Sequence, residues 1–460
     1  METPFAEGIF LRLRRKDPMK QRNTLPIRSF LSVFALFFAL SWASPAFSTP
    51  HKRAEAETLT AELVGLNSAY GMTAPADRDR ALKRLVDTTV ERQALLAELM
   101  ASDPGAVLRT AIPERIRNTM PAEIRPFIER RVELEGELKA MYEDFEDGSH
   151  RLTYTLMSGN ERISLHFRSS PPYMTGGSLV AASGIYLGAA VQNAANAAMA
   201  LDTGGNMLKL ALDGGENQST DAVPPPVANS FGEQRTAVIL VNFETTTSEP
   251  WTVAEANNIV FGDVDAFFRE NSQDRAWLSG DVFGWFTLQL DPTGCPSSDI
   301  SLQARQAAQT SGADLSAYDR FIYAFPDIGC SWSGLGTVGD SPSHAWFDGT
   351  LGSAGTVSHE LGHNFGLFHS HAQACGGAAP LSDNCISVEY GDVLDRMGRS
   401  DGGHYNAFQK ERLGWLGDGV SPPIVTADVS GSYTLDAYAA PGNATKAIRI
   451  PRDLDPASGQ

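Results

Sequence analysis

With 460 residues, the chain is long enough for about two or three domains, each with a core of its own. Its formal net charge of -18 argues against a nucleic-acid partner, because a phosphate backbone selects for clustered Lys and Arg. The sequence is not of low complexity, so we expect it to fold.

Residues 1–48 have the pattern of an export signal. A basic segment that ends at Arg28 precedes an uncharged apolar run at residues 30–42, and small residues suited to cleavage follow that run. We therefore predict a signal peptide over residues 1–48, with Met19 as an alternative start, and a secreted, extracellular protein. An uncleaved membrane anchor is the alternative. The apolar run is short for a membrane span, so we predict no stable membrane insertion.

Residues 49–212 are predicted to form a helical segment followed by a small β module. Apolar residues recur at helical spacing over residues 54–147, and Pro121 is suited to open the second helix. From Leu152 the period changes to two, and a turn at residues 158–161 predicts a hairpin. Further β-like runs follow up to residue 212.

Residues 213–229 contain Gly, Pro and polar residues with almost no apolar content, which predicts an exposed linker. A linker in this position is a candidate processing site. Residues 49–229 are then either a propeptide removed by proteolysis or a permanent accessory domain, and both interpretations stay open. No cysteine precedes Cys295, so a propeptide thiolate cannot block a metal ion.

Residues 230–417 are predicted to form an α+β domain, in which a mixed, twisted sheet is backed by helices. The predicted order is strand, helix, strand, helix, strand, over residues 236–243, 251–271, 282–290, 302–310 and 320–325. Residues 343–347 are a candidate edge strand, to which an extended substrate could add by backbone hydrogen bonds. The alternative for them is a loop with an aromatic residue packed inward. A helix that carries the motif described next is expected to begin near Gly355.

Residues 359–369 read His-Glu-Leu-Gly-His-Asn-Phe-Gly-Leu-Phe-His and match the pattern H-E-x-x-H-x-x-G-x-x-H at every fixed position. His359 and His363 lie four residues apart and share one face of a helix, so both imidazoles can bind one zinc ion. Gly366 can adopt a positive φ and turn the chain back, which brings His369 to the same ion. We therefore predict a zinc site with three histidine ligands, His359, His363 and His369.

Glu360 lies beside the first histidine ligand and is the candidate general base. Zinc lowers the pKa of a water molecule in the fourth position, and Glu360 can then accept its proton. The predicted reaction is hydrolysis of an amide bond. The alternative, an amphipathic helix that carries histidines by chance, does not account for the complete motif.

The four cysteines, Cys295, Cys330, Cys375 and Cys385, are an even number in a protein that we expect to be exported, which predicts two disulfides. Of the three connectivities that four cysteines allow, we favour the sequential one, Cys295 with Cys330 and Cys375 with Cys385. A second zinc site is the alternative, but no Cys-x-x-Cys spacing supports it.

The motif, followed by Cys375, Glu389-Tyr-Gly-Asp392, Met397-Gly398 and Phe408-Gln-Lys-Glu-Arg-Leu-Gly-Trp415, resembles the metzincin clan of zinc endopeptidases and, within it, the gametolysin family. This resemblance covers about residues 235–450. It implies a metzincin-type catalytic domain with an active-site helix and a methionine turn at Met397, three histidine ligands, and Glu360 as general base. It also implies protein or peptide substrates, and it makes residues 418–460 the start of a β-sandwich that we expect to be truncated.

Several assignments stay open in the sequence. His371 is interpreted as a solvated loop histidine rather than a residue that supports the third ligand. Neither His404 nor Tyr405 is assigned as an oxyanion donor, since the position that such a tyrosine takes in the clan holds Arg399. Asp392 is interpreted as a turn residue, with a calcium ion as the alternative. The oligomeric state is not specified.

Two other functions are weighed against the endopeptidase. One is a zinc hydrolase of non-peptide amides or esters. The other is a secreted metal-binding adhesion module without turnover. It is disfavoured because the chain carries Glu360, a residue that zinc binding alone does not need.

Overall fold

The structure is a computed structural model that describes residues 48–188, 197–210, 229–377 and 384–451. The chain divides into two units, Met1–Ser48 and Thr49–Gln460, and the elements below lie in the second, apart from the first residue of the first helix. The predicted signal peptide and most of the predicted linker lie outside the described residues. No helix in the described ranges is both long and apolar enough to cross a membrane.

The N-terminal region begins with helices, as predicted for its first part. They are α1 (Ser48–Gly71), α2 (Arg78–Ser102), α3 (Pro104–Thr110) and α4 (Glu114–Arg117). Pro104 opens α3, where its missing N–H costs nothing, and the Asp103 side chain caps that helix by accepting a hydrogen bond from the Ala106 N–H. Apolar residues of α1, α2 and α3 form one core with two strands that follow them.

A buried ion pair joins α2 to the segment that precedes the first strand. Arg92 donates to the two carboxylate oxygens of Glu129 at 2.7 and 2.8 Å, and both side chains are about 1% exposed. Arg92 also donates to the Thr110 carbonyl oxygen, and Glu129 accepts the Ile112 N–H. Each charge is therefore fully hydrogen-bonded, and removal of one partner would leave the other charged and buried.

Replacement of Arg92 by Met is expected to lower the free energy of unfolding by about 3–5 kcal/mol, because Glu129 would lose its buried partner. Urea denaturation of the full chain measures the change. The control is Arg84→Met, which removes an exposed ion pair with Glu62 and should cost less than about 1 kcal/mol. Equal effects of the two substitutions would contradict a structural role for the buried pair.

Strands follow the helices, and within the described residues eleven of them form one sheet. The strands of the N-terminal region are β1 (Arg130–Phe145), β2 (His150–Ser158), β3 (Glu161–Phe167), β4 (Leu179–Leu187), β5 (Ala197–Leu201) and β6 (Met207–Lys209). The predicted hairpin is confirmed, because β2 and β3 pair in antiparallel fashion around a turn at residues 159–160. Since β4 also pairs with β1, the strands β1, β2, β3, β5 and β4 form a closed ring.

The helical structure predicted up to residue 147 is wrong for the last part of that range, because β1 occupies Arg130–Phe145. Leu138, Ala140 and Tyr142 alternate with more exposed neighbours and point into the core of the N-terminal ring. The charged residues between them have good helix propensity. Pairing of β1 with three other strands supplies backbone hydrogen bonds and burial that outweigh this local preference.

The second half of the sheet belongs to the predicted α+β domain. Its strands are β7 (Gly232–Phe243), β8 (Ala276–Leu288), β9 (Arg320–Phe325), β10 (Trp332–Thr337) and β11 (Ser343–Asp348). Its helices are α5 (Val253–Asn258), α6 (Asp265–Ser272), α7 (Ser297–Thr310) and α8 (Ala354–Asn364). A π-helical segment, Ile259–Val264, joins α5 to α6, so the predicted helix over residues 251–271 is confirmed as a continuous run.

The prediction that residues 343–347 form a strand is confirmed, but the prediction that this strand lies at the edge of the sheet is wrong. The strand, β11, pairs with β9 on one side and with β10 on the other. The outer position belongs to β10, which the sequence did not predict, and β1 of the N-terminal region pairs with it in antiparallel fashion. The sheet therefore runs without a break from the N-terminal ring into the second half, in the order β6-β4-β5-β3-β2-β1-β10-β11-β9-β7-β8.

The remaining elements are short. They are β12 (His371–Ala374), β13 (Ile386–Glu389), α9 (Ala407–Arg412), β14 (Ile424–Thr426) and β15 (Ala447–Arg449). Strands β12 and β13 form an antiparallel pair next to the motif, and β14 pairs with β15 in parallel. Residues 432–435, within the predicted start of the β-sandwich, have no regular secondary structure. The β-sandwich that was expected from residue 418 onward stays a prediction.

Candidate metal centre

Helix α8 carries the first part of the motif, and it begins where the sequence predicted. The Ser353 side chain caps it by accepting a hydrogen bond from the Thr356 N–H. His359, Glu360 and His363 lie in its second half and are buried. The helix packs on the core through Val357 and Leu361, along with Phe365 just beyond its end.

Gly366 ends this helix with a φ of 90°, a left-handed conformation that glycine adopts without steric cost. The His363 carbonyl oxygen accepts the Gly366 N–H, and the Gly362 carbonyl oxygen accepts the Leu367 N–H. The chain then turns back, and His369 comes to lie with its Nε2 atom 3.1 Å from the Nε2 atom of His363. The predicted roles of Gly366 and His369 in the turn therefore agree with the structure.

Each motif histidine is oriented by a hydrogen bond through its other ring nitrogen. Nδ1 of His359 lies 2.7 Å from the Arg396 carbonyl oxygen, and Nδ1 of His363 lies 2.8 Å from the Leu367 carbonyl oxygen. An acceptor at Nδ1 requires a proton on that atom, which leaves the Nε2 lone pair free for a metal. For His369 the acceptor is the carboxylate of Glu389, at 2.7 Å from Nδ1.

The three Nε2 atoms suit a zinc ion. Together with a carboxylate oxygen of Asp144 they all lie within 4.8 Å of one another. Nε2 of His359 is buried and has no hydrogen-bond partner. The Nε2 atoms of His363 and His369 are both unprotonated if their Nδ1 atoms donate, and two lone pairs at 3.1 Å repel each other unless a cation lies between them. Three neutral imidazoles are a common ligand set for zinc, at about 2.0–2.1 Å from the metal.

Asp144, near the end of β1, lies in the fourth position of this cluster. Its Oδ1 atom is 2.9 Å from Nε2 of His369, and its Oδ2 atom is 3.2 Å from Nε2 of His359 and 3.4 Å from Nε2 of His363. The carboxylate stands where a water molecule or a substrate oxygen would bind. The sequence offered no signal for it, because Asp144 lies far from the motif in the chain and in a segment that was predicted to be helical.

The charges in the cluster depend on one another. Burial raises the pKa of Asp144, but in the absence of a metal ion a protonated His369 and the contact with His359 outweigh burial and hold that pKa well below its usual range. Burial raises the pKa of Glu360 well above its usual value, and the charge of Asp144 raises it further. Burial lowers the pKa of His363 to about 4, so this imidazole is neutral at pH 7, as a metal ligand must be.

Two consecutive residues at the end of β13 complete the site, and the sequence did not assign a role to either. Glu389 holds His369 and also accepts from Nε2 of His150, at 2.8 Å, in the N-terminal region. The Tyr390 hydroxyl donates to Oδ1 of Asp144 at 2.5 Å, and its ring centroid lies 4.1 Å from that of His369. Both residues belong to the run Glu389-Tyr-Gly-Asp392 that carried the resemblance, but spacing alone could not place them against the metal site.

Met397 is fully buried below α8. A side chain on Gly362 would put its Cβ atom 2.4 Å from the Met397 sulfur, so only glycine permits this close approach. The turn is held by Asp395, which accepts the Met397 N–H on one oxygen and the Ser370 hydroxyl on the other. Met397 thus lies in a turn beneath the helix that carries His359 and His363.

The other candidate residues, His404, Tyr405 and His371, each have their own contacts. His404 contacts Glu270 and Lys410, and the hydroxyl of Tyr405 donates to the Ser358 carbonyl oxygen inside the core. His371 lies 3.7 Å from Glu389 and 3.4 Å from the Tyr173 hydroxyl.

Asp392 accepts hydrogen bonds from the Leu394 N–H and the Asn406 side chain, as a turn residue does. Around Asp392 the described residues offer nothing that supports calcium.

The predicted disulfides are both present. Cys295 is bonded to Cys330, and Cys375 is bonded to Cys385. The first attaches the segment before α7 to the loop between β9 and β10. The second lies in the segment that connects β12 to β13, close to the residues that hold His369.

Comparisons with known proteins give similarities to a family model and to solved structures. None of the curated proteins matches the chain. A solved structure described as a chaperone-substrate complex matches with 20% identity and a TM-score of 0.26, over 38% of this chain and 33% of that chain. The crystal structure of metalloproteinase-II from Bacteroides fragilis matches with 13% identity and a TM-score of 0.27, over 57% of this chain and 75% of that chain. Both TM-scores are too low to bear on the fold or the function.

The family model that matches describes a family of peptidases. Residues 255–453 match the family described as gametolysin peptidase M11, and they include α8, the three histidines and the turn at Met397. The sequence resemblance to the same family rests on the motif and on the segments that follow it up to Trp415. The chain is therefore a metallopeptidase, a hydrolase, and its residues 255–453 are similar to the gametolysin family.

Proposed function

We propose that the protein is a secreted zinc endopeptidase that cleaves peptide bonds of extracellular proteins and is made in a latent form. The observation that carries the proposal is the convergence of three oriented histidine Nε2 atoms on one point, with the Glu360 carboxyl beside it. Export rests on the sequence pattern of residues 1–48. The metzincin-type role of Met397 and the β-sandwich after residue 418 are parts of the same proposal.

A zinc ion bound by His359, His363 and His369 would supply Lewis-acid chemistry, which polarises a peptide carbonyl and makes a water molecule acidic near neutral pH. The chain supplies the proton transfers. Glu360 is buried next to the ligands and can take a proton from water and later give it to the leaving nitrogen. Its raised pKa suits the second step, because a carboxyl that readily holds a proton can also donate it.

The extended substrate would bind along β10. The free edge of a β-strand recognises an extended peptide through backbone hydrogen bonds, and β10 is the strand of the catalytic half that lies at such an edge once β1 is absent. Gly334 and Gly336 in β10, which both lie against Glu360, support this placement. A Cβ atom on Gly334 would lie 2.1 Å from Oε1 of Glu360, so the strand passes directly beside the catalytic carboxyl.

Latency follows from β1, which occupies the same edge. Residues Met141 to Phe145 pair with β10 in antiparallel fashion, and Asp144 lies opposite Gly334. The Asp144 carboxylate then takes the fourth position among the histidines. A strand that fills the substrate edge and an anion that fills the metal's open position would block both requirements for turnover.

Further contacts fix β1 in the cleft. The Tyr142 ring stacks on His363 with centroids 4.6 Å apart and contacts His369 at 4.2 Å. Lys139 lies 3.5 Å from Oδ1 of Asp340, which follows β10 in the catalytic half. Because these contacts cover the ligands themselves, they favour an inhibitory propeptide over a permanent accessory domain.

The proposal of a removable propeptide is tested at the N-terminus of the secreted protein. A fully active form that begins near Thr49 would contradict the removable propeptide. A form that begins near residue 229 and is active would support it, and the fragment that contains β1 would be absent from that material.

Removal of the metal is the direct test of the enzymatic function. Dialysis against a chelator should abolish cleavage of a casein-like substrate, and added zinc should restore it, since no protein group replaces the Lewis acid. Zinc content, measured on the same samples, should rise and fall with activity. Persistent cleavage by metal-free protein would contradict the proposal.

Assays on the same preparation distinguish the two alternative functions, the non-peptide hydrolase and the adhesion module. Hydrolysis of small amides or esters with no cleavage of proteins would indicate the non-peptide hydrolase. Full zinc content with no turnover of any substrate, in material that lacks β1, would indicate the adhesion module.

A further inference from the structure

Tyr390 contacts the Asp144 carboxylate, which occupies the fourth position beside the three histidines. Its hydroxyl donates to Oδ1 of Asp144, the oxygen that also lies 2.9 Å from Nε2 of His369. The other oxygen of Asp144, Oδ2, lies nearest His359 and His363. The phenol therefore faces the fourth position from the side of His369, next to the place where a substrate oxygen would lie.

The Asp144 carboxylate resembles the species formed when water adds to a peptide carbonyl. Both carry two oxygens on one carbon and a negative charge, and both would lie next to Glu360. A donor aimed at one carboxylate oxygen is thus also aimed at one oxygen of the tetrahedral intermediate. Donors placed in advance at such an oxygen stabilise the transition state, because charge develops there as the reaction proceeds.

The backbone holds Tyr390 in this position. Its φ is 57°, in the left-handed region that residues other than glycine rarely adopt. The next residue must be glycine, since a Cβ atom on Gly391 would lie 2.5 Å from the Cβ atom of Ala372 in β12. The β12–β13 pair and the bond from Glu389 to His369 fix the turn relative to the ligands. The strained residue is therefore locked beside the reaction position by elements of the catalytic half alone.

The other tyrosines near the ligands do not fit the role. The Tyr142 hydroxyl lies 3.4 Å from Glu389, and Tyr142 belongs to β1, which would be absent from the activated form. The Tyr405 hydroxyl is committed to the Ser358 carbonyl oxygen in the core. Within the described ranges, Tyr390 is the tyrosine of the catalytic half whose hydroxyl reaches the carboxylate in the fourth position.

We propose that Tyr390 is a catalytic residue, whose hydroxyl donates a hydrogen bond to the oxyanion during peptide hydrolysis. Water forms a bond to the carbonyl carbon and passes a proton to Glu360, while the electron pair of the carbonyl bond moves to the oxygen that Tyr390 stabilises. The C–N bond then breaks, and the nitrogen leaves with the proton from Glu360. Tyr390 keeps its own proton throughout. This inference rests on the proposed function and assigns a further residue to it.

The test compares Tyr390→Phe with Tyr318→Phe in the full chain that also carries Asp144→Ala, so that no carboxylate competes for the hydroxyl. Tyr318 is the matched control, because its hydroxyl donates to Asp281 at 2.6 Å, outside the cluster of metal ligands. Loss of the Tyr390 hydroxyl should lower kcat by about 100-fold, with KM and zinc content unchanged. Tyr318→Phe should match the parent chain.

A binding measurement provides a readout that does not depend on turnover. A phosphinic peptide carries two oxygens on a tetrahedral centre, so calorimetry should show its affinity for Tyr390→Phe reduced by about the same 100-fold. The affinity of a product peptide, which has no such centre, should not change. Unchanged kcat and unchanged phosphinic-peptide affinity would overturn the assignment, and so would loss of zinc, which would make Tyr390 a structural residue.

Failure of this inference is distinguishable from failure of the proposed function. If Tyr390→Phe behaves as the parent chain while removal of zinc abolishes cleavage, only the role of Tyr390 falls. If zinc-loaded material that lacks β1 neither cleaves proteins nor binds the phosphinic peptide, the proposed endopeptidase falls, and the assignment of Tyr390 falls with it.

Discussion

The intact chain that carries Asp144→Ala is expected to cleave casein about 10 to 100 times faster than the intact wild-type chain. The Asp144 carboxylate makes charge-assisted contacts with the ligand histidines and with Tyr390. A hydrogen bond to a charged group contributes about 1.5–3 kcal/mol, which corresponds to that range of rates if the closed form must open before substrate binds. Initial rates at equal zinc content, with electrophoresis to show that the chain stays intact, measure the effect.

Asp147→Ala is the control for this substitution. Asp147 lies three residues further along, is exposed and bonds to Ser149 in the turn before β2. It should leave the rate as in the wild type. If Asp144→Ala is no faster than Asp147→Ala, the carboxylate does not keep the site latent, and pairing of β1 with β10 would have to do so alone.

Glu360→Ala, made in the same Asp144→Ala chain, is expected to retain its zinc and to lose at least about 100-fold in kcat. Glu360 is not one of the histidine ligands, so its loss removes the proton acceptor and donor but leaves the three imidazoles in place. Zinc content and initial rates on the same samples measure the two halves of the expectation. The substitution should also remove the acidic group whose pKa burial raises.

Glu270→Ala serves as the control, because Glu270 is exposed and contacts His404 away from the ligands. It should retain both zinc and activity. Normal turnover by Glu360→Ala would refute the assignment of the general base. Loss of zinc from Glu360→Ala would mean that the carboxyl supports the metal site rather than the proton transfers.

Sequence reasoning succeeded where the signal was local. The histidines and Gly366 lie within residues 359–369, so helix geometry and one positive φ were enough to predict their convergence. The strand β9 (Arg320–Phe325) was predicted in the same way, from neighbours in the chain, and the disulfide pairs from an even number of cysteines and sequential pairing.

It failed where distant segments decide the structure. Strand β1 has charged residues that favour a helix, and only its pairing with β2, β4 and β10 makes it extended. Strand β10 contains Gly334 and Gly336, which weaken any strand prediction. Those glycines are needed because α8 passes so close that a Cβ atom on either would meet Glu360.

The fourth position of the metal site shows the same limit. Asp144 and Tyr390 meet through one hydrogen bond across 246 positions of sequence, and no periodicity or motif connects them. The three histidines could thus be predicted from the chain, while the Asp144 carboxylate that lies against them and the Tyr390 hydroxyl bonded to it could not.

The pairing of β1 with β10 has a consequence for how inhibition would end. A cut between β6 and β7 removes no contact, since β1 still pairs with β10 and Tyr142 still covers the histidines. What the cut changes is the effective concentration of the inhibitor, because a tethered segment becomes a separate molecule that can diffuse away. Dilution, rather than cleavage by itself, would then decide when the metal becomes accessible, and the released fragment would remain a soluble inhibitor of its own enzyme at high concentration.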